Sequence, residues 1–270
     1  MSRLDATFAR LRAEGCTGLV TYVTAGDPDL ARTEDVLVAL DSAGADVLEV
    51  GVPFSDPLAD GPVIQRASER ALRQGTTLAR VLDLVVGLRA KLHAPVVLFS
   101  YVNPIVRMGL GVFASRAADA GVDGVLALDL PADEAGELRA LLAPHDVDTI
   151  FLLSPTSTRE RIRQAATLGR GFLYGVSRLG VTGAGTRLAD TARPLVQRIR
   201  NETQMPVAIG FGVSNPQQVR EIGEFADAAV VGSALVSVIE TSAWCSCLAQ
   251  RMSECVRWLK GADLSRRDPQ

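Results

Sequence analysis

Short runs rich in Val, Ile and Leu alternate with longer amphipathic stretches along the chain. Eight of these runs predict strands, at residues 18–25, 46–52, 95–101, 124–130, 148–154, 171–177, 206–212 and 228–233. Strands that alternate with helices pair in parallel through right-handed crossovers, and eight such units favour a closed barrel. We therefore predict one α/β domain over residues 1–270, a (β/α)₈ TIM barrel with an extra N-terminal helix and a flexible tail at 262–270. An open, doubly wound sheet is the alternative, and the lack of a GxGxxG motif after the first strand disfavours it.

Charge and hydropathy exclude several classes of partner. The 28 basic and 31 acidic residues give a formal net charge of −3, so no basic field attracts nucleic acid or a membrane surface. No apolar run approaches the roughly 18 residues that span a bilayer, and the charged N-terminal stretch lacks the apolar core of a secretion signal. We expect a soluble, cytoplasmic protein.

The four cysteines do not form a recognisable metal or redox motif, because no pair has CxxC spacing. Cys245 and Cys247 lie in a stretch with helical character, where residues two apart face different sides. We expect them to be small buried hydrophobic residues, since a disulfide is improbable in a large cytoplasmic chain.

The barrel prediction also indicates which reactive side chains lie at the active face. In barrel enzymes the catalytic residues lie on the loops that follow the strands. Both histidines, His93 and His145, precede predicted strands, and the only lysines are Lys91 and Lys260. The active face therefore lacks histidine, lysine and cysteine. It offers carboxylates, tyrosines, hydroxyls and glycines, at Asp27, Glu49, Asp56, Asp60, Tyr101, Asn103, Asp129, Tyr174, Ser177 and Thr182. This set predicts proton transfer by carboxylates, and a carboxylate-bound metal ion is an alternative.

The segment LEVGVPFSDPLADGP at residues 48–62 is the most informative. Side chains alternate along a strand, so Glu49 points into the barrel if Leu48 and Val50 pack under the helices. Burial raises the pKa of a carboxyl group, which suits a general acid near neutral pH. A structural glutamate paired with an arginine is the alternative for Glu49, and a helix N-cap is the alternative for Asp60.

Three glycine-containing segments predict a phosphate site, at residues 180–186, 210–216 and 230–236. In barrels the loops after the last strands often bind phosphate through backbone amides and a helix N-terminus. The first of these segments is long enough to close over the site as a lid.

The segments YVTAGDP, LEVGVPFSDPLADGP, SRLGVTGAGT, GFGVSNP and VVGSALV resemble, in order, the signature segments of the tryptophan synthase alpha subunit family. The resemblance runs from about residue 8 to residue 240. It implies a lyase that cleaves indole-3-glycerol phosphate to indole and glyceraldehyde 3-phosphate by a retro-aldol reaction. It also implies no cofactor or metal of its own, and a beta subunit that carries pyridoxal phosphate and receives the indole.

The resemblance assigns roles residue by residue. Glu49 matches the proton-transferring glutamate, Asp60 the carboxylate that binds the indole N–H, Tyr174 a tyrosine near Glu49, and Thr182 the lid threonine. Gly183, Gly212, Gly232 and Ser233 match the phosphate-binding positions. Pro53 and Asp56 match loop positions that communicate with the beta subunit. Tyr22, often Phe in the family, and Phe99, often smaller, shape the indole pocket.

Two other functions remain open from the sequence. The chain could be a stand-alone lyase that releases free indole without a beta subunit. It could also be a non-catalytic paralogue that only activates a beta partner, although the presence of Glu49, Asp60 and Thr182 argues against this.

Overall fold

The computed structural model of the chain describes residues 1–176, 188–210 and 212–262, and for residues 188–191 it describes the backbone only. The predicted tail, apart from Ala262, lies outside the described residues. Within the described residues, no helix combines the length and the apolar character needed to cross a membrane.

Eight parallel strands close into a barrel in chain order, so that β1 pairs with both β2 and β8. The strands are β1 (Gly18–Thr24), β2 (Val47–Gly51), β3 (Val96–Ser100), β4 (Gly124–Ala127), β5 (Asp148–Leu153), β6 (Leu173–Val176), β7 (Val207–Gly210) and β8 (Ala228–Val231). Each lies within the run that predicts it, and the closed order confirms the TIM barrel and excludes the open sheet.

One helix precedes the first strand in the chain, which confirms the extra N-terminal helix. The other helices surround the barrel. In chain order the helices are α1 (Arg3–Glu14), α2 (Leu30–Ser42), α3 (Pro62–Arg73), α4 (Leu78–Leu88), α5 (Val102–Met108), α6 (Leu110–Asp119), α7 (Gly136–Leu142), α8 (Arg159–Leu168), α9 (Leu188–Arg200), α10 (Pro216–Gly223), α11 (Ser233–Ser242) and α12 (Leu248–Leu259).

The alternation of β2 decides what enters the barrel. Leu48 and Val50 belong to the core between strands and helices, whereas Val47 belongs to the cluster inside the barrel. Since successive side chains point to opposite faces of a strand, Glu49 shares the inner face with Val47, as predicted.

Helix α1 covers the base of the barrel, at the amino ends of the strands. Its residues Leu4, Phe8 and Leu11 join the inner cluster, and the rings of Phe8 and Phe172 lie 5.4 Å apart. Three arginines of α1 also pair with aspartates that precede strands: Arg3 with Asp123, Arg10 with Asp46 and Arg12 with Asp227. Helix α1 thus closes the base of the barrel. An active site is therefore expected at the opposite end, where the strands have their carboxyl ends. Both histidines precede strands, as predicted.

The expectation for Cys245 and Cys247 is wrong. The two residues lie in the turn between α11 and α12 rather than in a helix, with Cα atoms 5.1 Å apart, and they form a disulfide. The helical repeat that would separate their side chains stops at Ser242, so both sulfur atoms reach each other. Cys16 and Cys255 are free thiols.

Candidate active site

Glu49 is buried inside the barrel with no exposed surface. Its register neighbours are Tyr22 on β1 and Val97 on β3. Burial raises the pKa of its carboxyl group from 4.5 to about 8, because desolvation disfavours the charged form. Neither Oε1 nor Oε2 has a hydrogen-bond partner among the described residues. In that part of the chain Glu49 is therefore not an arginine-paired structural glutamate.

Tyr22 and Phe99 form an aromatic wall beside Glu49. Their rings meet edge to face, with centroids 5.1 Å apart. Gly51 makes room for this wall, since a Cβ atom there would lie 2.3 Å from Oη of Tyr22. Both side chains are buried in the cluster inside the barrel. The structure thus brings the two predicted pocket residues together next to the predicted acid.

Tyr174 on β6 also faces the interior of the barrel. Its ring takes the space of a side chain on β7, because a Cβ atom at Gly210 would lie 2.4 Å from Oη of Tyr174. Burial and the nearby Glu49 carboxyl raise the pKa of Tyr174 well above its ordinary value. The phenol therefore stays neutral, and it can act only as a hydrogen-bonding and packing group near the acid.

Asp60 lies in the loop after β2 and is not a helix cap. Gly61 is the N-cap residue of α3 and makes no side-chain capping bond, so the N-cap alternative for Asp60 is wrong. Tyr101 Oη donates a hydrogen bond to Oδ2 of Asp60 at 3.3 Å and accepts one from the Ala59 N–H at 3.0 Å. The Tyr101 ring in turn stacks on Phe54, with centroids 4.9 Å apart.

The surroundings of Asp60 set its charge. Burial raises its pKa from 3.8 to about 6, and the hydrogen bond from Tyr101 opposes that rise. Near neutral pH the two carboxyl groups therefore differ: Glu49 is mainly a neutral acid and Asp60 is mainly an anion. Such a separation of pKa values between two acids is how a site divides acid and base roles.

The N-terminus of α11 carries two of the predicted phosphate-binding residues, Gly232 and Ser233. Gly232 is its N-cap residue and makes no side-chain capping bond, and Ser233 is the first helical residue. The first backbone N–H groups of a helix have no partner within the helix and favour anions. Gly212, after β7, has a φ of 95°, a left-handed conformation that glycine adopts without strain. Both glycines lie at the carboxyl ends of their strands, as predicted.

Comparison with known proteins identifies the family. The family model described as tryptophan synthase alpha chain matches residues 8–261. This chain belongs to the tryptophan synthase alpha chain family. It is 50% identical over 240 residues to the tryptophan synthase alpha chain of Geotalea uraniireducens (strain Rf4), covering 89% of this chain and 90% of that one. It is 52% identical over 240 residues to that of Geotalea daltonii, covering 89% and 91%.

Solved structures of tryptophan synthase agree with this assignment. The crystal structure of tryptophan synthase subunit alpha from Legionella pneumophila str. Paris has a TM-score of 0.89 at 35% identity, covering 96% of this chain and 97% of that one. A structure of Mycobacterium tuberculosis tryptophan synthase has a TM-score of 0.88 at 37% identity, again covering 96% and 97%.

The two predicted interface residues of this alpha chain lie in the loop between Asp60 and β2. Pro53 is buried and Asp56 is exposed, and Ser55 Oγ donates a hydrogen bond to Oδ2 of Asp56 at 2.6 Å. Leu58 in the same loop is 94% exposed. One loop therefore joins the anionic site residue to an exposed surface.

Part of the predicted site falls outside the described residues. Thr182 and Gly183, the predicted lid threonine and one phosphate-binding glycine, lie there, as does Ser177. Their assignment stays a prediction.

Sequence reasoning missed several partners of the site. Tyr101 is a candidate because it ends a predicted strand, but the sequence assigns it no role, and no motif singles out Phe54. Asp27 was a candidate without a partner, and the structure pairs it with Arg70 of α3. Nothing local in the sequence indicates that pair, since the residues are 43 apart.

A cavity of about 200 Å³ lies at the ends of β4 and β5 against α8. The candidate residue Asp129 lines it, whereas Glu49 and Asp60 do not. No group of three or more His, Cys, Asp or Glu side chains is arranged to hold a metal ion within the described part of the chain.

Proposed function

We propose that Glu49 and Asp60 carry out the reaction of this alpha chain. The chain is a carbon–carbon lyase that cleaves indole-3-glycerol phosphate to indole and glyceraldehyde 3-phosphate. The observation that carries the proposal is the pair of carboxyl groups, Glu49 fully buried and Asp60 partly buried, whose pKa values are raised to about 8 and about 6. At neutral pH this pair supplies one proton donor and one negative charge.

The chemistry of the cleavage needs both groups. Protonation of the indole ring at C3 gives an indoleninium cation, and Glu49 is the proton donor in this proposal. The bond between C3 and the glycerol chain then breaks, its electron pair returns to the ring, and the adjacent hydroxyl loses its proton to form the aldehyde. The carboxylate left on Glu49 can take up that proton, which restores the acid. Asp60 stabilises the cation by accepting a hydrogen bond from the ring N–H.

The residues of the proposed site suit a substrate with an apolar ring at one end and a phosphate at the other. Tyr22 and Phe99 supply an aromatic wall for the ring, and the N-terminus of α11 supplies backbone donors for the phosphate. Tyr174, Gly212, Gly232 and Ser233 complete the proposed site, with Thr182 and Gly183 from the segment outside the described residues. No step requires a cofactor on this chain, and we assign pyridoxal phosphate to the beta partner alone.

Alpha chains of this family work with a beta subunit, and we extend this to the present chain. The loop that carries Pro53, Asp56 and Leu58 is the proposed contact, because it begins at β2 and leads to Asp60. A partner that fixes this loop would fix the position of the Asp60 carboxylate. A cytoplasmic location stays a prediction.

Indole release from indole-3-glycerol phosphate by the purified chain tests the proposal, with and without a tryptophan synthase beta subunit. We expect slow turnover alone and a large increase with the beta subunit. Equal turnover in both conditions would instead identify a stand-alone lyase. No turnover in either condition, together with stimulation of the beta reaction, would identify a non-catalytic paralogue.

The Glu49→Gln variant tests the role of Glu49 in the same assay, because it keeps the size of the side chain and removes the acidic proton of the carboxyl group. We expect a loss of at least roughly 10²-fold in turnover, the usual contribution of a positioned general acid. Glu137→Gln, on the exposed surface of α7, is the matched control and is expected to keep full activity. Retained turnover in Glu49→Gln would remove Glu49 from the mechanism.

A further inference from the structure

Two arginines of α3 hold a set of ion pairs that the reaction itself does not use. Arg70 donates Nε and Nη2 hydrogen bonds to the two carboxylate oxygens of Asp27, at 2.7 and 2.8 Å. Its remaining nitrogen, Nη1, donates to Glu240 at 2.8 Å. Arg66, one helical turn earlier, donates to both oxygens of Glu240 at 2.8 and 2.9 Å. Three separate elements, the loop after β1, α3 and α11, are thereby joined.

The pair at the centre of this network is geometrically specific. The Asp27 side chain has no exposed surface, and Arg70 is 25% exposed. Bidentate arginine–carboxylate bonds fix orientation as well as distance. The loop around Asp27 is also fixed, because Gly26 N–H donates to Thr33 Oγ1 at 2.9 Å. Removing one partner of a buried pair leaves the other charge uncompensated, so the network constrains the position of α3 strongly.

The network lies between the two ends of the proposed substrate site. Helix α3 begins at Pro62, two residues after Asp60, and Asp60 is assigned to the indole N–H. Helix α11 begins at Ser233, and its N-terminus is assigned to the phosphate. Glu240 lies in α11, so its bonds to Arg66 and Arg70 connect the phosphate-binding helix directly to the helix that carries Asp60 at its start.

We propose that Asp27, Arg70 and Glu240 form a positioning network that couples phosphate binding at α11 to the placement of Asp60. This inference rests on the proposed function, which assigns the two substrate ends. None of the three residues is proposed to touch the substrate. A ligand phosphate that orders α11 also orders α3 through these bonds, which places the Asp60 carboxylate at the ring N–H. Misplacement of a reacting group by about 1 Å can cost roughly 10²-fold in rate.

The coupling can be measured with two inert probes, glycerol 3-phosphate for the phosphate end and indole for the ring end. Isothermal titration calorimetry gives the affinity of the wild-type chain for indole with and without saturating glycerol 3-phosphate. We expect glycerol 3-phosphate to tighten indole binding by about 5-fold or more, within the usual range of coupling between sites. We expect Arg70→Met to reduce this factor to about 2-fold or less, and Glu240→Gln to reduce it partly.

Arg89→Met is the matched control. Arg89 is 17% exposed and pairs with Asp123, at the base of the barrel where α1 also contacts that aspartate. Its loss is expected to lower stability and to leave the coupling factor at the wild-type value. A general loosening of the fold would reduce the factor in both arginine variants, which would overturn the proposal. If Arg70→Met does not fold, Glu240→Gln alone decides, since its partners remain charged and the helix remains intact.

Failure of this inference and failure of the proposed function give different results. A wild-type chain that cleaves indole-3-glycerol phosphate but shows no coupling between the probes overturns the inference and leaves the lyase function in place. A chain that shows coupling, and loses it in Arg70→Met, but does not cleave the substrate supports the network and contradicts the lyase. An unchanged coupling factor in folded Arg70→Met and Glu240→Gln also overturns the inference.

Discussion

Replacing Glu49 by glutamine should stabilise the protein at alkaline pH while it abolishes catalysis. The buried Glu49 carboxyl has no hydrogen-bond partner among the described residues, and its pKa rises from 4.5 to about 8. A pKa that is higher in the folded state means that folding favours the protonated acid. The associated stability is complete below pH 4.5 and is lost as the pH rises to about 8.

The size of this effect follows from the pKa values. At roughly 1.4 kcal/mol for each tenfold change in proton affinity, the rise from 4.5 to about 8 corresponds to about 5 kcal/mol. About 3 kcal/mol of this is already lost at pH 7. Glutamine has no proton to lose, so the difference in free energy of unfolding between variant and wild type should grow by about 5 kcal/mol from below pH 4.5 to above pH 8.

Urea unfolding at pH 5, 7 and 9 measures the difference directly, with the midpoint and slope fitted at each pH. Glu137→Gln removes a carboxyl group from the surface of α7 and should keep the pH dependence of the wild type. A Glu49→Gln difference that stays constant from pH 5 to pH 9 would refute the reasoning, because Glu49 would then ionise at the same pH in the folded and unfolded chains.

Three further changes test other parts of the site and its support. Gly51→Ala should cost about 1–3 kcal/mol by overpacking, since its methyl group would lie 2.3 Å from Oη of Tyr22; an unchanged Tm would show that the ring moves freely. Tyr101→Phe should raise the pKa of Asp60 above about 6 by removing a hydrogen bond that favours the anion, so the acidic limb of the rate profile should move to higher pH. Phe8→Ala should lower stability by about 3–5 kcal/mol because α1 packs into the base of the barrel, and chemical denaturation should show a loss well above 1 kcal/mol.

The sequence predicts the features that follow from the regular spacing of apolar residues along the chain. Alternation along β2 places Glu49 inside the barrel, and the repeated strand–helix pattern gives the closed sheet. Predicted strand bounds exceed the observed ones at the carboxyl ends, as in the run 124–130 against Gly124–Ala127, because apolar residues continue into the loops that line the mouth.

The relations that the sequence cannot give are contacts between distant residues. The sequence is equally compatible with Asp60 as a helix cap, which the structure excludes because Gly61 is the N-cap residue of α3. The hydrogen bond that Asp60 accepts from Tyr101 joins residues 41 apart. The ion pair of Asp27 with Arg70 is of the same kind. The disulfide of Cys245 with Cys247 does not follow from the sequence for a different reason. It depends on where α11 ends, and helix boundaries are defined only to within one or two residues.

The pH dependence of kcat/KM for indole-3-glycerol phosphate cleavage tests the central claim most directly, because it reports the essential acid and base of the free enzyme. We expect a bell-shaped dependence of kcat/KM on pH, with Asp60 ionising near pH 6 and Glu49 losing its proton near pH 8. A rate that is still rising at pH 9 and above would contradict it, because Glu49 would then act as a carboxylate and not as a proton donor.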